Sequence, residues 1–262
     1  MTNMHDIIWF DTIDSTNEEA RRRISDIDNL SVLSAYEQTS GKGQRGNRWL
    51  STRGENLMFS IVLKPEALEA GNQFVICEAA SLSIVWLLAK YSINAEIKWP
   101  NDIYVDNKKI CGILIENSLH GKHISSSIIG IGLNVNQRNF DVNLPNPTSM
   151  TLCKADNYNI VTLLEEFMDI FKETIAKAMD KGLREEYLSV LWRRGIPSRF
   201  IDYTSLPSGH HDGPMNINTE TVSDSEEFTG IIRDLSPFGT LLVENEEGEL
   251  REFAFKEIGY II

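Results

Sequence analysis

Residues 95–134 of this chain read AEIKWPNDIYVDNKKICGILIENSLHGKHISSSIIGIGLN, in which apolar strand-like segments alternate with tight turns. The predicted strands cover residues 95–98, 103–105, 109–116 and 123–134, and the turns fall at 106–107 and 120–122. Strands that follow one another this closely pair as antiparallel neighbours, because a parallel crossover needs a longer connection. The stretch therefore predicts an antiparallel or mixed sheet rather than a doubly wound parallel one.

Helices and further strands are predicted on both sides of this stretch. Cap-type residues followed by two glutamates at 14–19 indicate a helix that begins near Ser15 and runs to about Ile27. The other predicted elements are strands at 7–10, 31–37 and 56–63, helices at 71–91, 161–180 and 184–193, and a loop at 136–150. Together these elements predict an α+β fold in which helices flank a mixed β-sheet.

The pattern changes after Gly195-Ile196-Pro197, which ends the helical run. Short strands are predicted at 199–203, 226–235, 239–244 and 249–255, separated by turns at 236–239 and 246–248. We expect a small barrel-like domain here, with a polar loop at 207–224 inside it. The predicted domains are therefore residues 1–194 and 195–262.

The composition restricts the class of protein. The chain has 262 residues and a net charge of −13, which disfavours a general nucleic-acid binder, because such binding depends on neutralising phosphates. Its three cysteines form no C-x-x-C pair, which indicates a reducing cytoplasm and no structural metal. No signal peptide is visible, and the apolar run at 75–88 is too short to span a membrane.

A basic, glycine-rich loop stands out in this acidic chain. Residues 37–49 read EQTSGKGQRGNRW, with three glycines and three basic side chains. The loop is not a Walker A motif, since no Gly-Lys-Ser/Thr follows, and a strand rather than a helix comes next. We expect its backbone N–H groups, with Lys42, Arg45 and Arg48, to wrap a polyanion. The alternative is a solvated hairpin tip.

Three further segments place polar groups where a ligand could reach them. Lys98 ends a strand, Asn101 and Asp102 follow it, and Lys109 lies near Gly112, where a ligand can approach closely. Lys109 is the best candidate for a single catalytic cation, although an exposed edge is the alternative. The other two segments are Ser15-Thr16-Asn17, a helix start able to bind a polar head group, and Gly130-Ile131-Gly132-Leu133-Asn134. His210-His211-Asp212 is more simply a solvated turn than a metal site.

These motifs together resemble the biotin protein ligase family, the biotin–[acetyl-CoA-carboxylase] ligases. The resemblance rests on five motifs in a compatible order, of which Lys98-Trp99-Pro100-Asn101-Asp102 is the most specific. The motifs are Asp14-Ser15-Thr16-Asn17, Gln38 to Trp49, Lys98 to Asp102, Lys109 to Glu116 and Gly130 to Asn136. The resemblance implies a class II synthetase-like, biotin/lipoate ligase fold with a small SH3-like C-terminal barrel.

The resemblance also implies a two-step reaction. The biotin carboxylate attacks the α-phosphorus of ATP to give biotinyl-5′-AMP and pyrophosphate, and a lysine of an acceptor domain then displaces AMP. Mg²⁺ would accompany ATP on its phosphates, and the acceptor would be the biotin carboxyl carrier domain of a carboxylase. The implied location is the cytoplasm, without membrane or DNA partners, and a homodimer is compatible with it. Only fourteen residues precede Ser15, so we expect no N-terminal DNA-binding domain.

The resemblance assigns roles to individual positions. Lys109 would contact both the carboxylate and the α-phosphate, supported by Lys42, Arg45 and Lys98. The residues implied for biotin are Ser15, Thr16, Asn17, Gln38, Gly41, Lys42, Gly43, Gln44, Lys109 and Gly112. Those implied for ATP and the adenylate are Arg45, Arg48, Trp49, Asn101, Lys109 and Asn134. No residue is assigned to a protein-bound metal.

The chain departs from the family loop, which often reads G-R-G-R-R-G. Lys42 replaces the first arginine and Gln44 the second, so Arg45, Arg48 or Lys98 must supply part of the phosphate contact. Two alternatives to a biotin ligase stay open. One is a lipoate–protein ligase, which shares the catalytic architecture, and the other is a biotin-sensing corepressor.

Overall fold

The computed structural model describes residues 6–204 and 226–262, apart from the side chain of Arg45. The predicted loop at 207–224 and the His210-His211-Asp212 motif lie outside these residues. A seven-stranded sheet has the order β1-β2-β3-β7-β6-β5-β4. Its strands are β1 (Ile7–Phe10), β2 (Val32–Ala35), β3 (Leu57–Leu63), β4 (Glu96–Lys98), β5 (Asp102–Val105), β6 (Lys108–His120) and β7 (His123–Leu133). Strands β1 and β2 are parallel and the other pairs antiparallel, so the predicted mixed sheet is confirmed.

Strands β6 and β7 form the centre of this sheet, and their side chains alternate between its two faces. Cys111 and Ile113 of β6 and Ile131 of β7 are buried in the main apolar core. The intervening positions on the opposite face include three glycines: Gly112 pairs with Gly132, and Leu114 pairs with Gly130. Because glycine has no side chain, this part of the second face is a bare backbone surface.

Two long helices cover the first face. Helices α2 (Phe74–Lys90) and α4 (Ile160–Lys181) pack on each other and on the sheet. Apolar contacts join α4 to β3, where the rings of Phe59 and Phe167 have centroids 5.1 Å apart. Burial of large side chains in this layer contributes about 1.5–3 kcal/mol each and accounts for most of the stability.

Helix α2 corrects one expectation. With the 3-10 turn before it, the helical stretch Ala70–Lys90 is long and apolar enough to cross a membrane by length and composition. The expectation that the apolar run at 75–88 is too short for this does not hold by that test. However, 67% of its most apolar window is buried inside the protein. A core helix passes the same test, so a single such helix in the described residues is weak evidence for a span.

Of the three remaining helices, two are shorter than the sequence predicts and one was not predicted. Helix α1 (Thr16–Arg22), on the second face, ends before Ile27, because Ser25, Asp26 and Asp28 favour turns over helix. Helix α3 (Met150–Lys154) begins within the predicted loop at 136–150 and is too short for its periodicity to show. Helix α5 (Arg184–Ser189) ends four residues early.

A second, five-stranded antiparallel sheet follows, with the order β11-β10-β9-β8-β12. Its strands are β8 (Pro197–Asp202), β9 (Glu226–Leu235), β10 (Leu241–Asn245), β11 (Leu250–Phe253) and β12 (Ile258–Tyr260). The three-residue strand β12 was not predicted. This sheet lies where the small C-terminal barrel was expected.

The two sheets are joined by specific contacts. Trp99 Nε1 donates a hydrogen bond to the Gly239 carbonyl at 2.9 Å, and Phe74 packs against the bare α-carbon of Gly239. Arg184 of α5 pairs with Glu78 of α2 at 2.6 Å and also donates to the Ser236 carbonyl at 2.6 Å. Apolar residues of the second sheet join the same core as α2. A domain boundary at 194/195 stays a prediction, and it falls just before β8.

Candidate active site

A cleft of about 840 Å³ opens over the glycine-rich surface of β6 and β7. Gly112, Gly130 and Gly132 form part of its floor. A Cβ at Gly130 would lie 2.2 Å from Asn17 Oδ1, and one at Gly132 would lie 2.4 Å from the Trp49 indole. Both distances are far below van der Waals contact, so the walls of the cleft require glycine in the floor.

A buried hydrogen-bond network forms one end of the cleft. The backbone N–H of Thr16 donates to Gln38 Oε1 at 2.7 Å, and Ser60 Oγ lies 2.7 Å from Thr16 Oγ1. Asn17 Nδ2 donates to Glu116 Oε2 at 2.8 Å, while its Oδ1 lies 2.6 Å from Ser60 Oγ. Because these groups fix one another's orientation, this end presents preset donors and acceptors to a polar ligand.

The lid loop, residues 41–49, is folded back on itself at the edge of the cleft. Gly43 N–H donates to the Asn47 carbonyl at 2.7 Å, and Trp49 N–H donates to the Gly41 carbonyl at 2.9 Å. A 3-10 turn, Gln44–Gly46, forms its tip, and Gln44 Nε2 donates to the Ile113 carbonyl of β6 at 3.2 Å. Main-chain hydrogen bonds therefore order a segment that has no apolar pattern.

Two of the three basic residues of the lid loop contact protein groups. Lys42 forms an ion pair with Glu18 of α1, and its hydrogen bond lowers the pKa of Glu18. Arg48 Nη2 donates to the Thr39 carbonyl at 2.7 Å. Both side chains are partly exposed, so these contacts are weak and can be exchanged for a polyanion. Arg45 has a described backbone in the 3-10 turn but no described side chain.

The Trp49 indole is the apolar wall of the cleft. It lies against the floor at Gly132. A Cβ placed on Gly112 would also lie 3.1 Å from the indole. Its Nε1 is buried and has no hydrogen-bond partner among the residues that the structure describes. An unpaired buried N–H costs about 1–3 kcal/mol, so this donor is suited to an acceptor on a ligand.

Two lysines give the other end of the cleft its positive charge. Lys109 Nζ is 2.7 Å from Asp102 Oδ1, and both side chains are about one-third exposed. Lys98 also lines the cleft, and its Nζ donates to Tyr104 Oη at 3.2 Å. Burial lowers the pKa of Lys98 to about 8. This end therefore carries cations that can face an anion within a partly desolvated site.

Most of the residues selected from sequence come together around this cleft. Asn134 lines it with its amide Nδ2 donating to the Thr148 carbonyl at 2.9 Å. Asn101 and Gly41 do not line it: Asn101 Nδ2 donates to the Ile113 carbonyl at 2.5 Å, and Gly41 is buried under Trp49. The predicted residues in the lining are Ser15, Thr16, Asn17, Gln38, Lys42, Gly43, Gln44, Arg48, Trp49, Lys98, Lys109, Gly112 and Asn134.

Sequence reasoning missed several groups that shape the cleft. Ser60 and Glu116 form hydrogen bonds with Asn17 and orient it. Glu18 forms an ion pair with Lys42. The segment 140–147 lines the cleft beside Lys109. The polar Ser60 within a strand of apolar residues was a usable signal. Among the residues that the structure describes, no cluster of three His, Cys, Asp or Glu side chains could hold a metal ion.

The comparisons with known proteins agree with this geometry. The model of the "Biotin/lipoate A/B protein ligase family" matches residues 9–134, the part that carries the cleft. The bifunctional ligase/repressor BirA of Escherichia coli is 27% identical over 237 residues, covering 89% of this chain and 68% of that protein. The biotin–[acetyl-CoA-carboxylase] ligase of Paracoccus denitrificans is 33% identical over 124 residues, covering 47% of this chain and 51% of that protein.

A solved structure extends the similarity to the whole fold. Biotin protein ligase from Aquifex aeolicus, in complex with biotin and ATP, matches with a TM-score of 0.76 and 26% identity over 97% of both chains. The match covers enough of the chain to include the region of the second sheet. This chain therefore contains a domain of the biotin/lipoate A/B protein ligase family.

Proposed function

We propose that this chain is an ATP-dependent biotin protein ligase that acts through biotinyl-5′-AMP. The observation that carries the proposal is one cleft with a hydrogen-bonding end at Thr16 and Gln38 and a cationic end at Lys109 and Lys98. Such a cleft suits a ligand that has a polar ring system at one end and a carboxylate at the other. The similarity to a biotin ligase solved with biotin and ATP supports the same assignment.

The reaction has two steps, and both need the cationic end. In the first, a carboxylate oxygen of biotin attacks the α-phosphorus of ATP, and the bond to the β-phosphate breaks to release pyrophosphate. In the second, an acceptor lysine amine attacks the acyl carbon, AMP leaves, and the nitrogen loses a proton. Bringing a carboxylate to a polyphosphate is opposed by their charges, so fixed cations lower the barrier.

The proposed residue roles are supported by the position of most of these residues in the cleft. Lys109 lies beside Gly112 on the floor and would contact the carboxylate and α-phosphate together. Ser15, Thr16, Asn17 and Gln38 would bind the ureido end. The lid loop, with Lys42, Gly43, Gln44, Arg45, Arg48 and Trp49, would cover the adenylate and exclude water, while Lys98 and Asn134 would face the nucleotide.

The polar end of the cleft favours biotin over lipoate. Ser15, Thr16 and Asn17 are each at most 3% exposed and line the cleft together with Gln38, which accepts a hydrogen bond from the Thr16 backbone N–H. A site built for hydrogen bonds rejects an analogue that cannot make them, because buried donors and acceptors would be left unpaired. The dithiolane ring of lipoate has no such groups, whereas the ureido group of biotin has both N–H and C=O.

The proposal also covers the partners and the location. The acceptor would be the carrier domain of a biotin-dependent carboxylase, as the name of the Paracoccus relative implies for that protein. The cytoplasm and a homodimer stay predictions. The Escherichia coli relative is also named a repressor, but the net charge of −13 disfavours DNA binding here. Retention of a specific DNA in a gel-shift assay would favour the corepressor alternative.

The experiment that tests the activity offers biotin and lipoate separately with MgATP and follows pyrophosphate release. We expect release with biotin only, together with a retained mass corresponding to biotinyl-AMP. Release with lipoate only would assign the chain to the other branch of its family.

A further inference from the structure

The ammonium group of Lys98 is enclosed by three aromatic rings from three different segments. Its Nζ lies 5.0 Å from the ring centroid of Tyr104, 5.0 Å from that of Tyr260 and 5.9 Å from that of Trp192. The rings also touch one another, with centroids 5.3 Å apart for Tyr104 and Trp192 and 5.5 Å apart for Trp192 and Tyr260. We call these three residues the aromatic cage; such ring faces attract a cation.

Lys98 has no counter-ion of its own among the described residues. The nearest carboxylate that the cleft offers, Asp102, is paired with Lys109 at 2.7 Å. The only hydrogen bond that Lys98 Nζ donates within the described residues goes to the neutral Tyr104 hydroxyl. The rings therefore replace a carboxylate as the group that holds this cation, and its charge is not neutralised before an anion enters the cleft.

The cage brings the C-terminal sheet to the edge of the cleft. Tyr260 belongs to β12, where it pairs with Phe200 of β8 and contacts its ring. Trp192 is fixed by its Nε1, which donates to Asn107 Oδ1 at 3.1 Å, and by Arg193, whose guanidinium lies 4.1 Å from its ring centroid. Within the described parts of the chain, the Tyr260 hydroxyl is buried without a hydrogen-bond partner, so no such bond there holds the ring in place.

We propose that Tyr260 and Trp192 are positioning residues that hold the uncompensated ammonium of Lys98 at the cleft for the phosphates of the nucleotide, so that the docked C-terminal sheet completes the site. This inference rests on the proposed function in one respect: the proposed function identifies the anion as the phosphates of ATP. The cage itself does not depend on it. Lys98 would touch the substrate, whereas Tyr260 and Trp192 act through Lys98.

Several charged and titratable groups, including two of the cage residues, face Lys98. They are Asp102 and Tyr104 on β5, Lys109 on β6, Arg193 after α5, and Tyr260 on β12. Burial is the main cause that lowers the pKa of Lys98, to about 8; Asp102 opposes the shift, while Lys109 and Arg193 add to it. The ring faces oppose burial by favouring the charged form. Removing one ring while Lys98 stays buried should therefore lower the pKa of Lys98 further.

The first test measures the cage without using activity. The Lys98 amine of the full chain is titrated by nitrogen-15 NMR and assigned by comparison with Lys98→Met. The variants are Tyr260→Leu, which removes the ring, Tyr260→Phe, which keeps it, and Phe228→Leu, a control in the same sheet outside the cage. We expect a pKa about one unit lower in Tyr260→Leu and unchanged values in the other two. An unchanged or raised pKa in a folded Tyr260→Leu variant would contradict the claim that the cage stabilises the charged form of Lys98.

The second test measures the role of the cage in the reaction. Pyrophosphate release with biotin and MgATP is followed across the basic pH range for the same variants. The basic limb of the pH–rate profile should move about one pH unit lower in Tyr260→Leu. In Tyr260→Phe it should stay where it is in the unmodified chain. In a Lys98→Met background, Tyr260→Leu should have no additional effect on the rate. Additive losses in this cycle would overturn the positioning role.

The two tests distinguish failure of the cage from failure of the proposed biotin ligase activity. A lowered Lys98 pKa in Tyr260→Leu, with no biotin-dependent pyrophosphate release by the unmodified chain, would retain the cage and reject the proposed function. If Tyr260→Leu does not fold, Trp192→Leu removes another ring of the same cage and carries the same expectation in both measurements.

Discussion

Lys109 provides the sharpest test of how the cleft lowers the barrier to adenylate formation. The change is Lys109→Met, which keeps most of the side-chain length and removes the charge. Lys109 is 33% exposed and its partner Asp102 is 28% exposed, so the site is neither bulk water nor a dry interior. An effective dielectric constant of about 20 is therefore appropriate, and a unit charge about 4 Å from a phosphate oxygen interacts with it by about 4 kcal/mol.

This interaction energy gives the size of the expected effect. At about 1.4 kcal/mol per tenfold change in rate, pyrophosphate release should fall by roughly a thousandfold in Lys109→Met. Folding should change little, because a partly exposed ion pair contributes at most about 1 kcal/mol and Asp102 can be hydrated. The assay is biotin-dependent pyrophosphate release from MgATP, with the melting temperature measured alongside.

Lys108→Met is the matched control, because Lys108 is the preceding residue of the same strand and is exposed to solvent. It removes the same charge from the chain outside the cleft lining and should leave the rate within about twofold. Near-normal pyrophosphate release by Lys109→Met, or equal losses in the two variants, would refute the assigned role of Lys109.

Three further predictions follow from other parts of the molecule. Gly132→Ala should raise the KM for biotin by roughly tenfold with little change in melting temperature, because its Cβ would displace the Trp49 indole; unchanged steady-state kinetics would show that this wall is not used. Arg184→Met should cost about 3–5 kcal/mol in urea unfolding, because it leaves the buried carboxylate of Glu78 unpaired, and a loss below 1 kcal/mol would contradict this. Trypsin should cleave after Arg48 more slowly with biotin and MgATP than without them, and equal rates would count against closure of the lid loop.

Most of the sheet could be predicted from the sequence, because strands joined by tight turns leave little freedom in topology. The prediction failed where elements are too short for periodicity to show, as for α3 and β12. It also placed the end of α1 too late. There, turn-forming residues such as Asp26 and Asp28 outweigh the apolar spacing that continues to Ile27.

The site was predictable in its residue types and less so in its connections. Glycine in a buried strand signals close approach, and the structure places Trp49 on Gly132 and Asn17 against Gly130. By contrast, no local pattern could show that Lys42 pairs with Glu18, since their segments meet only in the folded chain. The same holds for Tyr260, which reaches Lys98 from the last strand.

The central claim is that this chain joins biotin to a carrier lysine through an adenylate. The most direct measurement incubates the chain with biotin, MgATP and a biotin carboxyl carrier domain, and records the intact mass of the carrier. A matched carrier whose acceptor lysine is replaced by arginine serves as the control. We predict one biotin per carrier, attached to that lysine and dependent on ATP. An unmodified carrier, or a carrier modified by lipoate and not by biotin, would contradict the account.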